Sequence, residues 1–152
     1  MPLAYVATGR GGQILAFDMT NMSQIQHHIE DIPPPFKPMR LVVTQRYLVA
    51  ASNNELIVWE HDGTFVRRIS ATATNDCING WVTLHGDEVA YSCTFSNQLV
   101  TQVLPNGVPS STLFPQPCHI VANPERIGVI YVTGHMDGMV TSVVTGAALA
   151  MA

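Results

Sequence analysis

The chain has 152 residues, a net charge of −4 and 12% charged side chains, about half the usual share of roughly 25%. That length admits one domain with a real core. Seven scattered Lys and Arg, with Arg67-Arg68 the densest basic point, exclude the basic stripe a nucleic-acid binder needs.

Taken in chain order, residues 5–8 are β-branched and aromatic, Gly9-Arg10-Gly11-Gly12 is a turn, and 13–18 is the return strand. A weakly alternating strand over 23–29 follows. Pro33-Pro34-Pro35 and Pro38 then exclude helix and central strand alike and read as an extended connector. The second unit reads as strands at 39–44, 47–52, 55–60 and 64–70, with Asn53-Asn54 and His61-Asp62-Gly63 as turns. A polar linker at 71–76 leads to a third unit with strands at 78–84, 88–94, 98–104 and 110–114. Its turns are His85-Gly86-Asp87, residues 95–97 and Pro105-Asn106-Gly107. The fourth unit has strands at 118–122, 128–133, 139–144 and 147–151.

The third strands begin at Gln13, Glu55, Gln98 and Met139, spaced 42, 43 and 41 residues apart. A period near 42 with four strands per unit is the mark of propeller blades. No stretch carries helical spacing, so helix content should be near zero. The expected fold is one all-β domain over 1–152, made of four antiparallel meander units at 3–32, 39–70, 78–114 and 118–152. The first unit starts almost at its second-strand position. Closure of the ring within one chain is therefore not expected, and self-association or docking onto a larger assembly is. Two chains forming an eight-blade ring is one geometry, and a wedge among other proteins is another.

The hairpin at 130–144 (IYVTGHMDGMVTSVV) is the clearest copy, with looser copies at 5–17, 48–59 and 89–103. Tyr131-Val132-Thr133-Gly134 followed by Gly138-Met139-Val140 is similar to the YVTN pattern of β-propeller repeats, with Gly134 where that family has Asn. Trp59-Glu60 sits where WD40 repeats place Trp-Asp, but without the preceding Gly-His pair. The resemblance implies a blade fold and no particular activity, since propellers host enzymes, lectins and scaffolds.

Candidate chemistry is sparse. Cys77, Cys93 and Cys118 lack CxxC spacing, which argues against a zinc framework or disulfide scaffold and for small buried or half-buried thiols. His27, His28, His61, His85, His119 and His135, with Asp62, Asp76, Asp87 and Asp137, are the metal or base candidates, yet they fall in separate strand connections. Cys118-His119 are adjacent on a strand and point to opposite faces unless a bulge intervenes. The run Gly9–Gly12 precedes a strand, so it is no phosphate loop. The expectation is no catalytic site, no metal and no cofactor. No signal peptide or membrane-length apolar run appears, which points to synthesis in the cytoplasm.

The low charge with 47% hydrophobic residues fits either a compact β-protein with a neutral polar surface or a surface covered by neighbouring subunits. Tyr5, Val6, Leu149 and Met151 are the candidate interface residues, the last two in the apolar tail 146–152. That tail reads equally as the last unit's outer strand. Trp59 and Trp81 are the candidate stacking platforms for a ligand. The functional expectation is a non-catalytic structural or assembly subunit with protein partners, such as a virion structural or decoration protein. A glycan-binding propeller lectin is the alternative, and a lactonase-like enzyme is third.

Overall fold

The computed structural model describes residues 2–8, 12–26, 28–29, 32, 36, 38, 40–52, 55–70, 78–135 and 138–145. Among them are fourteen strands and no helix, arranged as four antiparallel sheets. The first holds β1 (Leu3–Ala7), β2 (Ile14–Asp18) and β3 (Ser23–Ile25). The second holds β4 (Arg40–Val43), β5 (Tyr47–Ala51), β6 (Glu55–Glu60) and β7 (Phe65–Ser70). The third holds β8 (Ile78–His85), β9 (Glu88–Cys93), β10 (Gln98–Val103) and β11 (Ser110–Leu113). The fourth holds β12 (Pro117–Ala122), β13 (Val129–Gly134) and β14 (Val140–Val144).

In every sheet the strands pair in chain order, so each unit is the meander expected from the 42-residue period. Three local expectations change. β3 is three residues long, because the weak alternation after Ile25 gives it little apolar face to bury. β8 runs on through His85, which leaves the turn to Gly86 and Asp87; register shifts along β8 absorb the extra residues. Pro117, one residue ahead of the expected strand 118–122, opens β12, a strand position that tolerates a missing N–H. The expected turn residues Gly9-Arg10-Gly11 and Asn53-Asn54, the Pro33-Pro34-Pro35 connector and the linker 71–76 lie outside the described residues. So do Cys77, His27, Asp137 and the tail with Leu149 and Met151.

Burial explains the strand compositions. In β5, Tyr47, Val49 and Ala51 join a cluster with β6 and β9, while Leu48 and Ala50 face the other way and join Ile14, Phe36, Ile57 and Trp59. A strand covered on both faces cannot alternate with polar residues, hence the unbroken run YLVAA. β9 does the same: Val89, Tyr91 and Cys93 face the second sheet, and Ala90 faces Ile120, Ile130 and Val132 of the fourth. The outer strands β7 and β11 have water on one side and carry Arg67, Arg68 and a Ser-Ser-Thr run. Three buried clusters therefore join sheets one to two, two to three and three to four. Among the described residues, no buried cluster joins the fourth sheet back to the first.

Candidate functional site

The seams between sheets are sewn by short side chains reaching backbone. Between sheets two and three, Asp87 in the β8–β9 turn accepts from the Thr44 hydroxyl at 2.7 Å and from the Arg46 amide at 2.9 Å. Both donors lie in the β4–β5 turn, whose Gln45 amide also donates to the Gly86 carbonyl. Thr83 donates to the Val43 carbonyl at 2.8 Å, and Arg67 reaches Asn106 at 2.7 Å. Arg68 pairs bidentately with Glu55 across β6 and β7, so both members of the densest basic pair are engaged within the fold.

Between sheets three and four, the buried Ser92 hydroxyl accepts from the Gly80 amide at 2.9 Å and donates to the Cys118 carbonyl at 2.6 Å. Thr94 donates to the Pro117 carbonyl, also at 2.6 Å. The fourth sheet repeats half of this device. Thr133 lies 41 residues after Ser92, and its hydroxyl accepts from the His119 amide at 3.1 Å. Among the described residues, that hydroxyl has no acceptor for its own proton. Both amides sit at register shifts of the first strand, where a bulge leaves an N–H without a ladder partner.

The two ends of the row of sheets differ from its middle. On the outward face of the fourth sheet lie Val121, Tyr131, Val140 and Val144, all exposed. On the outward face of the first lie Ala4, Val6, Leu15 and Phe17; Val6 is 48% exposed. Neither outward face carries an Asp, Glu, Lys or Arg in its strands.

A cleft of about 280 Å³ opens between sheets three and four, lined by Glu88, Leu99, Thr101, Ser110, Thr112 and Thr145 among others. The Thr145 hydroxyl is buried, with no hydrogen-bond partner among the described residues. Burial pushes the Glu88 carboxyl up from its ordinary 4.5, and His85 pulls it partly back. The carboxylate is therefore disfavoured in the folded state. This penalty is present above the raised folded value and is relieved as pH falls through it. Glu88→Gln should raise the melting temperature at pH 7, and the gain should vanish below the ordinary glutamate range. Thermal scans of both proteins at pH 3 and pH 7 check this.

The expected site residues scatter. Tyr5 and Val6 point in opposite directions. Tyr5 faces the second sheet, where its hydroxyl donates to the His61 carbonyl at 3.2 Å and burial raises its pKa. Val6 faces outward. Trp59 is fully buried between the first two sheets, so its indole has no face to offer a ligand. Trp81 packs against the cluster between sheets two and three, with its indole N–H buried and without a partner among the described residues. His61 sits at the seam of the first two sheets, with its Nε2 3.2 Å from the Thr44 carbonyl, and Nε2 of His28 lies 3.0 Å from the His61 carbonyl. Asp62 caps its own turn: the Thr64 amide holds its carboxyl below the usual range. A bulge does fall at Cys118-His119, and it directs their backbones to Ser92 and Thr133. Among the described residues, no three His, Cys, Asp or Glu converge on a metal position. No helix there is long and apolar enough to cross a membrane. Sequence reasoning passed over Ser92 and Thr94, whose only signal was a small polar residue in an otherwise apolar strand, and read Asp87 as a turn residue and metal or base candidate rather than as a seam residue.

No protein-family model matches the chain, and no curated protein does. Solved structures do match. The chain is similar to the computationally designed Ika4 protein with a TM-score of 0.70 and 12% identity, over 96% of this chain and 87% of that one. It is similar to Kuenenia stuttgartiensis hydrazine synthase at 0.73 and 12%, over 92% of this chain and 42% of that one. For the WD40 repeats of RRP9 the values are 0.64 and 13%, over 92% and 47%. The chain thus spans less than half the length of the last two. At such identities the likeness is one of fold: an all-β, β-propeller-like chain whose four sheets are consecutive blades.

Proposed function

We propose that the protein is a non-catalytic assembly subunit that works by presenting blade faces to other protein surfaces. The observation that supports this reading is the pair of uncharged, apolar outward faces on the first and fourth blades. Interfaces are depleted of charge at their cores, and monomers rarely leave such patches open. A structural or decorating subunit of a multi-chain particle, such as a virion, is the setting proposed for it. Native-gel and size separation of gently lysed source material, followed by mass spectrometry, tests the reading. The protein should travel with other chains well above its own 16.5 kDa. Recovery as a free single chain at native abundance would remove the proposal.

A second reading is favoured by the cleft between blades three and four. Its hydroxyls at Thr101, Ser110, Thr112 and Thr145, set beside apolar Leu99 and Val143, suit a polyhydroxylated ligand such as a glycan. Neither tryptophan lines it. A glycan array with no hits retires this reading.

A further inference from the structure

We infer that the partner is a second copy of this chain, docked head to tail: the outward face of blade four on one copy packs against the outward face of blade one on the other. This rests on the assembly reading and specifies its partner.

The argument is positional. Blade four repeats the trailing face of blade three at a constant offset of 41 residues: Ala90, Ser92, Leu99, Thr101 and Val103 become Tyr131, Thr133, Val140, Ser142 and Val144. The uncharged, apolar-and-hydroxyl character carries over; the burial does not, except at the rim, where Val103 and Val144 are 53% and 61% exposed alike. Leu99 is 4% exposed beneath blade four, whereas Val140 is 64% exposed. Ala90 is 0% exposed and Tyr131 40%. Ser92 has the carbonyl of a following blade to donate to, and Thr133 has none among the described residues.

The leading end mirrors this. Ile57 and Trp59 of blade two are fully buried against blade one. At an offset of 42 residues, blade one carries Leu15 and Phe17, half-buried, beside the exposed Val6. Each end face is thus a copy of a face the fold buries against a neighbouring blade. Both halves of the missing seam are present on one chain, so identical copies are complementary to each other. Two copies of a four-sheet chain supply eight blades, a number that propeller rings use, so the contact is one that closes after two copies. A head-to-tail contact that closes after two copies gives a discrete dimer, and one that does not close gives a filament.

Sedimentation equilibrium of the full chain at micromolar concentration tests this, with Tyr131→Arg altering the trailing face and Leu15→Asp the leading face. The wild type should sediment at twice the 16.5 kDa chain mass. Each substitution alone should weaken the dimer at least tenfold. An equimolar mixture of the two variants should recover part of it, because one unaltered seam remains available between them. Val108→Arg, at a residue 88% exposed and on neither end face, should leave the dimer intact. Circular dichroism and melting curves establish that each variant is folded. A monomeric wild type overturns the proposal, and if that monomer travels with other proteins in source material the assembly reading still stands. A dimer indifferent to either end-face substitution, or an open series of larger species, also overturns it.

Discussion

Trp59→Ala is expected to destabilise the protein by about 3–5 kcal/mol, the range for removing a large aromatic from a packed core. The indole is fully buried, and it is held from both sides: Ile14, Ile29 and Phe36 on the blade-one side, Leu48, Ala50 and Ile57 within its own sheet. Little can collapse into the space it would vacate, since strand backbones fix the walls on both sides. Trp59→Phe should cost much less, about 1–2 kcal/mol, because it also removes a buried indole N–H that has no acceptor among the described residues. Urea denaturation of the two variants separates the roles the residue could have. A core residue gives a large loss for Ala and a small one for Phe. A ligand platform would leave the unfolding midpoint nearly unchanged in both.

Gly80→Ala should cost about 3 kcal/mol or more, although it adds only one methyl group. A Cβ at that position would lie 2.5 Å from the Cys118 carbonyl oxygen, 2.9 Å from the Ile120 amide and 3.0 Å from the His119 Cα. All three are backbone atoms of β12, so no side-chain rotation relieves the clash and the strand itself must retreat. Retreat stretches the two 2.6 Å bonds that Ser92 and Thr94 make to the same strand. The two effects share one cause, which gives a sharper check than the single variant. In the Gly80→Ala background, Ser92→Ala should cost less than it does in the wild type, because the bond it deletes has already been weakened. Equal costs in the two backgrounds would place the damage elsewhere than in the seam.

Much of the architecture was legible in the chain because a repeat announces itself through spacing. Gln13, Glu55, Gln98 and Met139 set the period, and the apolar run YLVAA of β5 and the mostly apolar EVAYSC of β9 are those of strands buried on both faces. The bulges were not legible. His85 reads as a turn residue beside Gly86 and Asp87, and nothing in that tripeptide reveals that register shifts carry it into β8. Nor was the role of Trp59: an aromatic in a strand can face a core or a ligand, and only its covering by blade one decides between them. The seam residues were hidden for a related reason. Ser92, Thr94 and Asp87 act on backbone atoms 23 to 41 positions away, and pattern within one strand carries no trace of so distant a partner. For the candidate surface the case is mixed. The 41-residue correspondence between Leu99 and Val140 could be read from the sequence, but the exposure that makes it informative could not.

The serial arrangement of the three clusters has a consequence for how the molecule opens. Within a single chain, and among the described residues, blades two and three are each clamped on both faces, while blades one and four are each clamped on one. Nearest-neighbour coupling of this kind makes the free energy of local opening lowest at the two ends and highest at the middle seam. Thermal fraying should therefore begin in β1–β3 or β12–β14 and run inward, with the contact of Tyr47, Val58, Tyr91 and Val100 the last to part.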